Sequence, residues 1–447
     1  MERTTKIGLL HHIGGGNLGD DTTFDLVVDN IRRRWPHAEI SAFSMSPGDT
    51  AVRHGIVSHP IRRKTWTFGY EAADTTAGLK ESVKSSAKKL GVLFHLLRAV
   101  YSLVFRLPRE CGRELSFLIK SRRLIRTFDL FIITGGGQLT EWGGPWGFPY
   151  TLFKWVLLGK SAGVKCIYFN VGAGPLDHRL SQLFVRYGLR LADYVSFRDA
   201  QSQGLVRELG FKGESRVFPD IVYSMEVPSP VSGHSKKTNQ PVVGIAPMPY
   251  GDSRGFAGKQ DQPVYQEYIR KLAIFAADMV QHSYLLTFFG TDIGVDPLAI
   301  EDLQKELWDH HGLVASPVEG VKSVDDILAA MGGMDYVVTS RYHGVIFAHL
   351  ANRPVLAISH HPKVVTLMGE LGLSQYCVDI EEFDPKRLVD TFESMALNAE
   401  EIKRNLSADA ARFKKELAGQ FDSLFPSLDQ LRSERAFSEM SVGRTQS

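Results

Sequence analysis

The hydrophobic and polar positions of this chain alternate between two kinds of segment. Short apolar runs end near Gly, Asn or Ser, and each is followed by a stretch with helical periodicity. This alternation is typical of parallel strands joined by crossover helices, because strands buried on both faces read as continuous apolar runs. We therefore predict an α/β protein with two sheets, one in each half of the chain. The predicted strands are Lys6–His11, Glu39–Ser44, Leu130–Thr134, Lys165–Asn170 and Tyr194–Ser196 in the first half, and Val242–Ala246, Tyr284–Phe289, Tyr336–Thr339 and Val355–Ile358 in the second.

A polar segment divides the chain between these two halves. The 447 residues exceed the roughly 250–300 at which a single hydrophobic core stops growing, so two domains are expected. Val227–Gln240 is rich in Pro, Ser and polar residues and has no apolar period, as in a linker. We predict an N-terminal domain over residues 1–230, a C-terminal domain over 241–398, and a C-terminal helix with a frayed tail over 399–447.

Residues 79–126 are too many for a plain connection and predict a helical insertion in the first domain. The segment carries twelve Lys and Arg against three Glu, and an apolar stripe that includes Phe94, Leu97, Tyr101 and Phe105. Two interpretations are open. The insertion is an interfacial helix that contacts a membrane, or a helical hairpin that buries its stripe against its own domain.

Composition and charge exclude several classes of protein. With 43% hydrophobic residues the chain is expected to fold, and 52 Lys and Arg against 50 Asp and Glu leave no field to hold a nucleic-acid backbone. Cys111, Cys166 and Cys377 show no spacing for a disulfide framework or a zinc site, which favours a reducing cytoplasm. The start of the chain lacks the pattern of a signal peptide, and charges interrupt its most apolar run, Leu90–Leu107, which argues against a spanning helix.

Three glycine-containing loops follow predicted strands of the first half. The first, Gly14–Asp21, leads into a helix, and its free amides together with Asn17 and Asp20 suit a polar or anionic ligand. Its spacing is neither GxGxxG nor a P-loop, so a nucleotide fingerprint is absent. Asp20 or Asp21 either holds a sugar hydroxyl or caps the helix.

The second and third loops come directly after buried strands, at the sheet edge where open α/β sheets bind ligands. Gly136, Gly137 and Gln138 belong to the second loop, and Asn170–Leu176 forms the third. The aromatic segment Trp142–Phe148 either stacks on sugar rings or packs on the surface. Together the three loops predict a ligand-binding rim in the first domain.

Two charged side chains of the first half are further candidates. Arg198 lies where a predicted strand passes into a helix and can project from the sheet edge; the alternative is an exposed ion pair with Asp199. Asp220 closes the first domain in a Phe-Pro-Asp turn, either as a turn former or as a site residue.

The strongest candidate site lies in the second half, at Ser340–Gly344, between a predicted strand and an apolar helix. Arg341 and His343 would stand at the helix N-terminus, where the dipole, free amides and a bidentate guanidinium favour a carboxylate or phosphate. A histidine there can act as general acid or base near neutral pH. His360 and Lys363 follow the next strand and would add cations, and the adjacent histidines lack a third ligand for a metal, so none is expected.

Seven short sequences occur in an order that resembles the polysaccharide pyruvyl transferase family, over about residues 5–385. They are GNLGDD, GGGQL, NVGAGPL, SFRD, FPD, SRYHG and SHHPKV. The family is similar in fold to the GT-B glycosyltransferases, so the resemblance implies two Rossmann-like domains facing a cleft. It also implies transfer of pyruvate from phosphoenolpyruvate to a sugar of a surface polysaccharide or exopolysaccharide, as a ketal and without a redox cofactor.

The resemblance assigns roles to particular residues. Arg341 and His343 match the R-x-H motif of the family, which binds the donor and is catalytic, and Arg198 matches the arginine of its SxRD motif. His343 would protonate the enol methylene, and the two arginines would stabilise the departing phosphate. Tyr342 and Gly344 depart from the pattern, in which a small aliphatic residue and alanine are expected.

Two rival functions stand beside this one. The first is a GT-B glycosyltransferase with a nucleotide-sugar donor, for which Glu370 is the candidate ribose-binding residue. The second is a non-catalytic carbohydrate-binding or scaffold protein. The expected partners are phosphoenolpyruvate and a glycan or lipid-linked oligosaccharide, in the cytoplasm. Peripheral contact at the inner face of the membrane follows if the basic insertion is interfacial.

Overall fold

The structure is a computed structural model that describes residues 4–11, 16–63, 107–227, 240–255 and 258–426. The strands are β1 Lys6–Leu10, β2 Glu39–Ser44, β3 Ser58–Pro60, β4 Leu130–Thr134, β5 Lys165–Val171, β6 Tyr194–Phe197, β7 Arg216–Val217, β8 Val242–Ala246, β9 Leu285–Phe288, β10 Ser316–Pro317, β11 Tyr336–Thr339, β12 Val355–Ser359 and β13 Cys377–Asp379. The helices are α1 Leu18–Arg34, α2 Pro47–His54, α3 Leu107–Ile125, α4 Phe148–Ser161, α5 Arg179–Leu191, α6 Ala200–Glu208, α7 Gln262–Gln281, α8 Asp296–His311, α9 Val324–Gly332, α10 Tyr342–Leu350, α11 Pro362–Glu370, α12 Pro385–Leu397 and α13 Ala399–Leu424, with short 3-10 turns at Ile221–Ser224 and Ser374–Tyr376.

The described strands form two parallel sheets. Their orders are β3-β2-β1-β4-β5-β6-β7 and β10-β9-β8-β11-β12-β13. In both sheets the order reverses beside the first strand, between β1 and β4 and between β8 and β11. Ligands of open α/β sheets bind at such switch points, outside the carboxyl ends of the strands. The loops that follow these strands are therefore the natural place for a site.

The predicted α/β class and the division into two sheets are confirmed. All nine predicted strands occur, and no end differs from its predicted position by more than one residue. The strands that the sequence pattern missed are β3, β7, β10 and β13, which lie at the four sheet edges and have two or three residues each. A strand this short does not form an apolar run, so the pattern carries no signal for it.

Helices cover both faces of the first sheet. On one face α3, α4 and α5 enclose a core that contains Phe43, Phe131 and Trp155. On the other face, residues of α1 and α13 such as Phe24 and Phe421 pack together. This two-sided burial is the reason that the central strands read as continuous apolar runs.

The C-terminal helix α13 follows the second domain in sequence but packs on the first. Gln420 is buried, and its Nε2 donates to Asn170 Oδ1 at 2.7 Å and to Tyr194 OH at 3.1 Å. The ring of Phe421 lies 5.0 Å from that of Phe169. The end of the last helix therefore completes the first domain, whereas its earlier turns, with Leu406 and Leu417, pack in the core of the second.

The predicted insertion is described in part. Helix α3 covers residues 107–125 and confirms that this part is helical. Three predicted segments lie outside the described residues, namely 79–106 of the insertion, 228–239 of the linker and 427–447 of the tail. The domain bounds stay a prediction. Among the helices that the structure describes, none has the length and apolar content needed to cross a membrane.

Candidate active site

The carboxyl ends of the two sheets face each other across a cleft of about 790 Å³. Most of the residues singled out in the sequence line it, although they come from loops of both domains. Those that line the cleft are Asn17, Asp20, Gly137, Arg198, Arg341, His343, His360 and Lys363. The cleft thus collects the predicted rim of the first domain and the predicted anion site of the second.

The two domains touch directly at one end of this cleft. Thr291 O, in the loop after β9, accepts the Leu18 N–H at 3.0 Å, and Gly16 O accepts the Ile293 N–H at 3.1 Å. These bonds join the start of α1 to the loop after β9, and the first turn of α1 also packs against the first turn of α10, where Gly19 meets His343. The residues on those two turns therefore form one wall across the domain boundary.

His343 lies on that wall. A Cβ placed on Gly19 would be 2.0 Å from His343 Cγ, so the imidazole rests on the bare backbone of α1. Its Nε2 is buried without a hydrogen-bond partner among the described residues. Burial lowers the pKa of His343, with Arg198 and Lys363 acting in the same direction and Asp20 against it. The ring therefore favours the neutral form at pH 7.

Arg341 lies between β11 and α10 and lines the cleft, but its guanidinium is already engaged. Its Nε donates to Asp296 Oδ1 at 2.9 Å, and its Nη2 donates to the same oxygen. Asp296 is fully buried and accepts the amides of Thr291 and Asp292 at 2.9 Å each. The sequence predicts that the Arg341 guanidinium presents a pair of N–H donors to the ligand. This prediction is corrected, because Asp296 accepts hydrogen bonds from two of those donors. Burial also raises the pKa of Asp292, 3.8 Å from Arg341, to about 6.

Arg198 comes from the first domain, where β6 passes into α6. Its Nη1 lies 3.4 Å from Asp220 Oδ2 and its Nε 3.5 Å from Asp199 Oδ2. The alternative of an exposed ion pair is wrong, because all three side chains are buried. Asp220 does not line the main cleft; it accepts the Val222 amide at 3.1 Å and supports Arg198 from behind.

Lys363, at the start of α11, is the cation of the cleft that has no hydrogen bond or ion pair from its ammonium group to any described residue. Its Nζ lies 5.7 Å from the ring centre of Tyr342. Burial, followed by the charge of Arg198, lowers the pKa of Lys363 to about 8. Lys363 is therefore the side chain most available to an anionic ligand.

The two histidines beside Lys363 have structural contacts. His360 Nδ1 lies 3.1 Å from Ser340 O, and burial lowers its pKa well below the usual value. His361 Nδ1 accepts the Lys363 amide at 3.2 Å and caps α11. Within the described residues, no three His, Cys, Asp or Glu side chains are grouped so that they would hold a metal ion.

The glycine loops divide into residues that line the cleft and residues that shape it. Asn17, rather than Asp20 or Asp21, caps α1, because its Oδ1 accepts the Gly19 amide at 3.1 Å. Asp20 lines the cleft, whereas Asp21 bonds Arg53 at 3.2 Å.

Two residues of the second loop are corrected. Gly136 and Gln138 do not line the cleft: Gly136 O accepts the Gly172 amide at 2.8 Å, and Gln138 is fully buried, with its Nε2 donating to Thr134 O at 3.2 Å. They hold the loop in place, while Gly137 is exposed to the cleft.

Sequence reasoning missed three residues of this site. Asp292 and Asp296 follow β9 directly, so the rule that found the other rim loops would also have found them. Tyr342 was noted only as a departure from a family pattern. Its ring contacts both Arg198 and Lys363 and lines the cleft.

Two facing Rossmann-like domains, with cations on both walls of the cleft between them, define a protein of the GT-B fold class. The matched segment of the sequence gives the particular family. The chain belongs to the polysaccharide pyruvyl transferase family, whose model matches residues 17–362. The match includes Arg198, Arg341 and His343 and ends one residue before Lys363. No curated protein sequence was matched.

Solved structures support the fold assignment. S. aureus MnaA in complex with UDP has a TM-score of 0.51 and 12% identity, covering 90% of this chain and 91% of that chain. The UDP-GlcNAc 2-epimerase of Methanocaldococcus jannaschii has a TM-score of 0.51 and 9% identity, covering 87% of this chain and 92% of that chain. At these identities the likeness shows the fold alone.

Proposed function

We propose that the protein transfers a pyruvyl group from phosphoenolpyruvate to a sugar of a surface polysaccharide or exopolysaccharide, or of its precursor, and forms a pyruvate ketal. The observation that carries the proposal is the convergence of Arg198 with Lys363 and His343 on one cleft, in a member of a pyruvyl transferase family. Phosphoenolpyruvate carries a carboxylate and a phosphate on three carbons. A compact set of cations suits such an anion.

The proposed chemistry needs one proton donor and stabilisation of a leaving phosphate. The enol methylene carbon of the donor takes up a proton, and C2 becomes electrophilic. One sugar hydroxyl attacks C2 and loses its proton. A second hydroxyl of the same sugar attacks as the bond from C2 to the phosphate oxygen breaks, and its proton leaves with the phosphate. Arg198 and Lys363 would stabilise the charge that builds on the phosphate, and no redox cofactor takes part.

We assign the proton transfer at the methylene carbon to His343. Once His343 has given its proton to the methylene carbon, the neutral ring can accept the proton of the attacking hydroxyl. A bound donor would place two anionic groups beside the imidazole and raise its pKa, which favours the protonated form that the methylene carbon requires. Arg341, held by Asp296, would contribute a fixed charge at the same wall.

The acceptor is proposed to lie against the first domain, where Asn17, Asp20 and Gly137 line the cleft. A glycan or a lipid-linked oligosaccharide is the class of acceptor. The proposed compartment is the cytoplasm, in keeping with three cysteines that form no disulfide.

The test incubates the purified protein with phosphoenolpyruvate and candidate glycans, and measures phosphate release and the mass gain of a ketal on the sugar. Release that requires both substrates supports the proposal. His343→Ala should lower the rate by about 10²–10⁴-fold, the usual effect of losing a general acid or base, without a change in melting temperature. The control is His37→Ala, at an exposed position away from the cleft, which should keep full activity.

A nucleotide-sugar donor is the alternative. Glu370, its candidate ribose-binding residue, does not line the main cleft; it lies with Arg412 in a separate cavity of about 230 Å³ behind Tyr342. Turnover with UDP- or GDP-sugars, and none with phosphoenolpyruvate, would overturn the proposed donor.

A further inference from the structure

The outer surface of α3, α4 and α5, with Trp146 just before α4, exposes an unusual amount of apolar area. We refer to the outer surface of these three helices, together with Trp146, as the basic surface, because Lys and Arg outnumber Glu on the helices. Fourteen large hydrophobic side chains are exposed in the described part of the chain, and six of them lie here. They are Leu115 and Ile119 on α3, Trp146 and Leu157 at α4, and Leu183 and Tyr187 on α5. None of the six lines the cleft, so substrate binding does not account for them.

Charge is concentrated on the same three helices. They carry ten Lys and Arg against two Glu, a net charge of +8, while the whole chain carries +2. Glu114 pairs with Arg63, and Glu110 pairs with both Arg63 and Arg113. On α4, Lys154 is buried and Lys160 pairs with Asp193, so the exposed positive charge comes mainly from the arginines of α3 and α5. The remaining residues of the chain carry a net charge of −6, so these three helices are the more basic part of the sequence.

Helix α5 shows how the two properties combine. Its exposed side is formed by Arg179, Leu183, Tyr187 and Arg190, at intervals of three and four residues that place them in one stripe. The Cζ atoms of Arg186 and Arg190 lie 5.5 and 5.7 Å from the ring centre of Tyr187. The helix has no acidic residue. Tyr and Trp rings flanked by Arg are the composition that favours the boundary between water and lipid.

The basic surface adjoins the cleft. The loop that ends at Pro175 lines the cleft wall, and α5 begins four residues later at Arg179. Trp146 lies in the loop that follows β4, also at the carboxyl edge of the sheet, and its ring packs against Phe184 of α5 at 5.5 Å. A partner bound to the basic surface would therefore lie beside the mouth of the cleft.

We propose that the basic surface docks the protein on the face of a bilayer that contains anionic phospholipid. Cations alone would suit any polyanion, but a nucleic acid offers nothing to the exposed Leu and Ile side chains. A second copy of the chain would bring two positively charged surfaces together. An anionic bilayer satisfies both properties, since its phosphates attract the arginines and its interface accepts the apolar side chains. The inference does not depend on the identity of the donor.

The test is flotation of the full chain with vesicles of phosphatidylcholine and phosphatidylglycerol in equal parts, and with phosphatidylcholine alone. Wild type should bind the anionic vesicles, and binding should weaken at high salt. Replacing Arg179, Arg186 and Arg190 by Gln should lower the partition coefficient about 100-fold, at roughly fivefold for each cation. Leu183→Ser with Tyr187→Ser should also lower it, and should lower it at high salt as well.

Matched controls lie on the second domain. Lys305, Lys386 and Arg387 are exposed and are replaced by Gln to remove the same charge elsewhere, and Trp308→Ser with Val314→Ser removes exposed apolar area elsewhere. Both controls should bind as wild type does. The substitutions leave residues 64–106 unchanged, so a loss assigns binding to the described helices. Wild type that stays unbound, an arginine variant that binds normally, or a wild-type dimer that the apolar variant dissociates would overturn the proposal.

Discussion

The guanidinium carbon of Arg198 lies 4.3 Å from the ring centre of Tyr342, so a cation of the first domain rests on an aromatic ring of the second. Lys363 Nζ lies 5.7 Å from the same ring. A cation is attracted to the negative face of an aromatic ring, most strongly where water is excluded, and Tyr342 is buried. One side chain therefore holds two cations of the cleft in position.

Tyr342→Leu should raise KM for phosphoenolpyruvate about tenfold with a smaller change in kcat, because both cations lose the ring that orients them. Tyr342→Phe keeps the aromatic face and should retain KM within about twofold. Steady-state phosphate release measures both constants. If the two variants give equal KM values, the ring does not position the cations.

Gly19→Ala should reduce the transfer rate and destabilise the protein by roughly 1–3 kcal/mol, as overpacking does. The reason is that the new Cβ would be 2.0 Å from His343 Cγ, so the ring or the contact between the domains must shift. Gly48→Ala, in α2, is the control, since a Cβ there meets nothing within 4 Å. Urea denaturation and the transfer rate test the prediction, and a fully active, fully stable Gly19→Ala protein would contradict it.

The dependence of donor binding on pH should follow Lys363. Its pKa is lowered to about 8, and a lysine is charged below its pKa. Affinity for phosphoenolpyruvate should therefore be full near pH 7 and should fall as pH rises through about 8. Lys363→Arg stays charged in this range and should show a flat KM. A wild-type KM that is equally flat at constant ionic strength would exclude Lys363 from donor binding.

His54, at the end of α2 in the first domain, should make the stability of the protein depend on pH. Its Nδ1 lies 2.6 Å from Asp25 Oδ1 and its Nε2 3.7 Å from Asp21 Oδ1. Burial lowers the pKa of His54, but these carboxylates outweigh burial and raise it to about 9. The stabilisation is fully present below about pH 6.5, the unfolded value, and is lost as pH rises through about 9.

The free energy of unfolding should thus fall by on the order of 2 kcal/mol between about pH 7 and about pH 9. Urea denaturation of wild type and of His54→Gln measures this change, and the variant should show a flatter profile. His37→Gln, at an exposed position, should follow wild type. Parallel profiles for wild type and His54→Gln would show that this histidine is not charged in the folded protein.

Much of the fold could be predicted from the sequence, because the apolar runs that indicate strands are local patterns. The central strands β1, β4, β8 and β11 are buried on both faces, so each is an unbroken apolar run, and the polar residues after them had to meet at the sheet edges. For this reason the sequence pattern alone predicts that Arg341 and His343 lie at the sheet edge that faces the cleft. The edge strands have two or three residues and carry no such signal.

The hydrogen-bond partners of each side chain could not be predicted from the sequence, because they lie far away along the chain. Asp296 lies 45 positions before Arg341, and only the fold shows that it takes two donors of the guanidinium. Gln138 stands in the predicted loop, but the conformation of that loop turns its amide towards Thr134 and away from the cleft. Sequence pattern locates a loop, while the direction of its side chains follows from packing.

The return of α13 has a consequence for how the protein is made. Phe421 and Phe425 complete the apolar face that also contains Phe24 and Ile132, so that face stays open to water until the last helix arrives. Domains generally fold as units while the chain emerges from the ribosome. Here the second domain can finish before the first, and the half that is synthesised first is completed only after Phe421 and Phe425 have emerged.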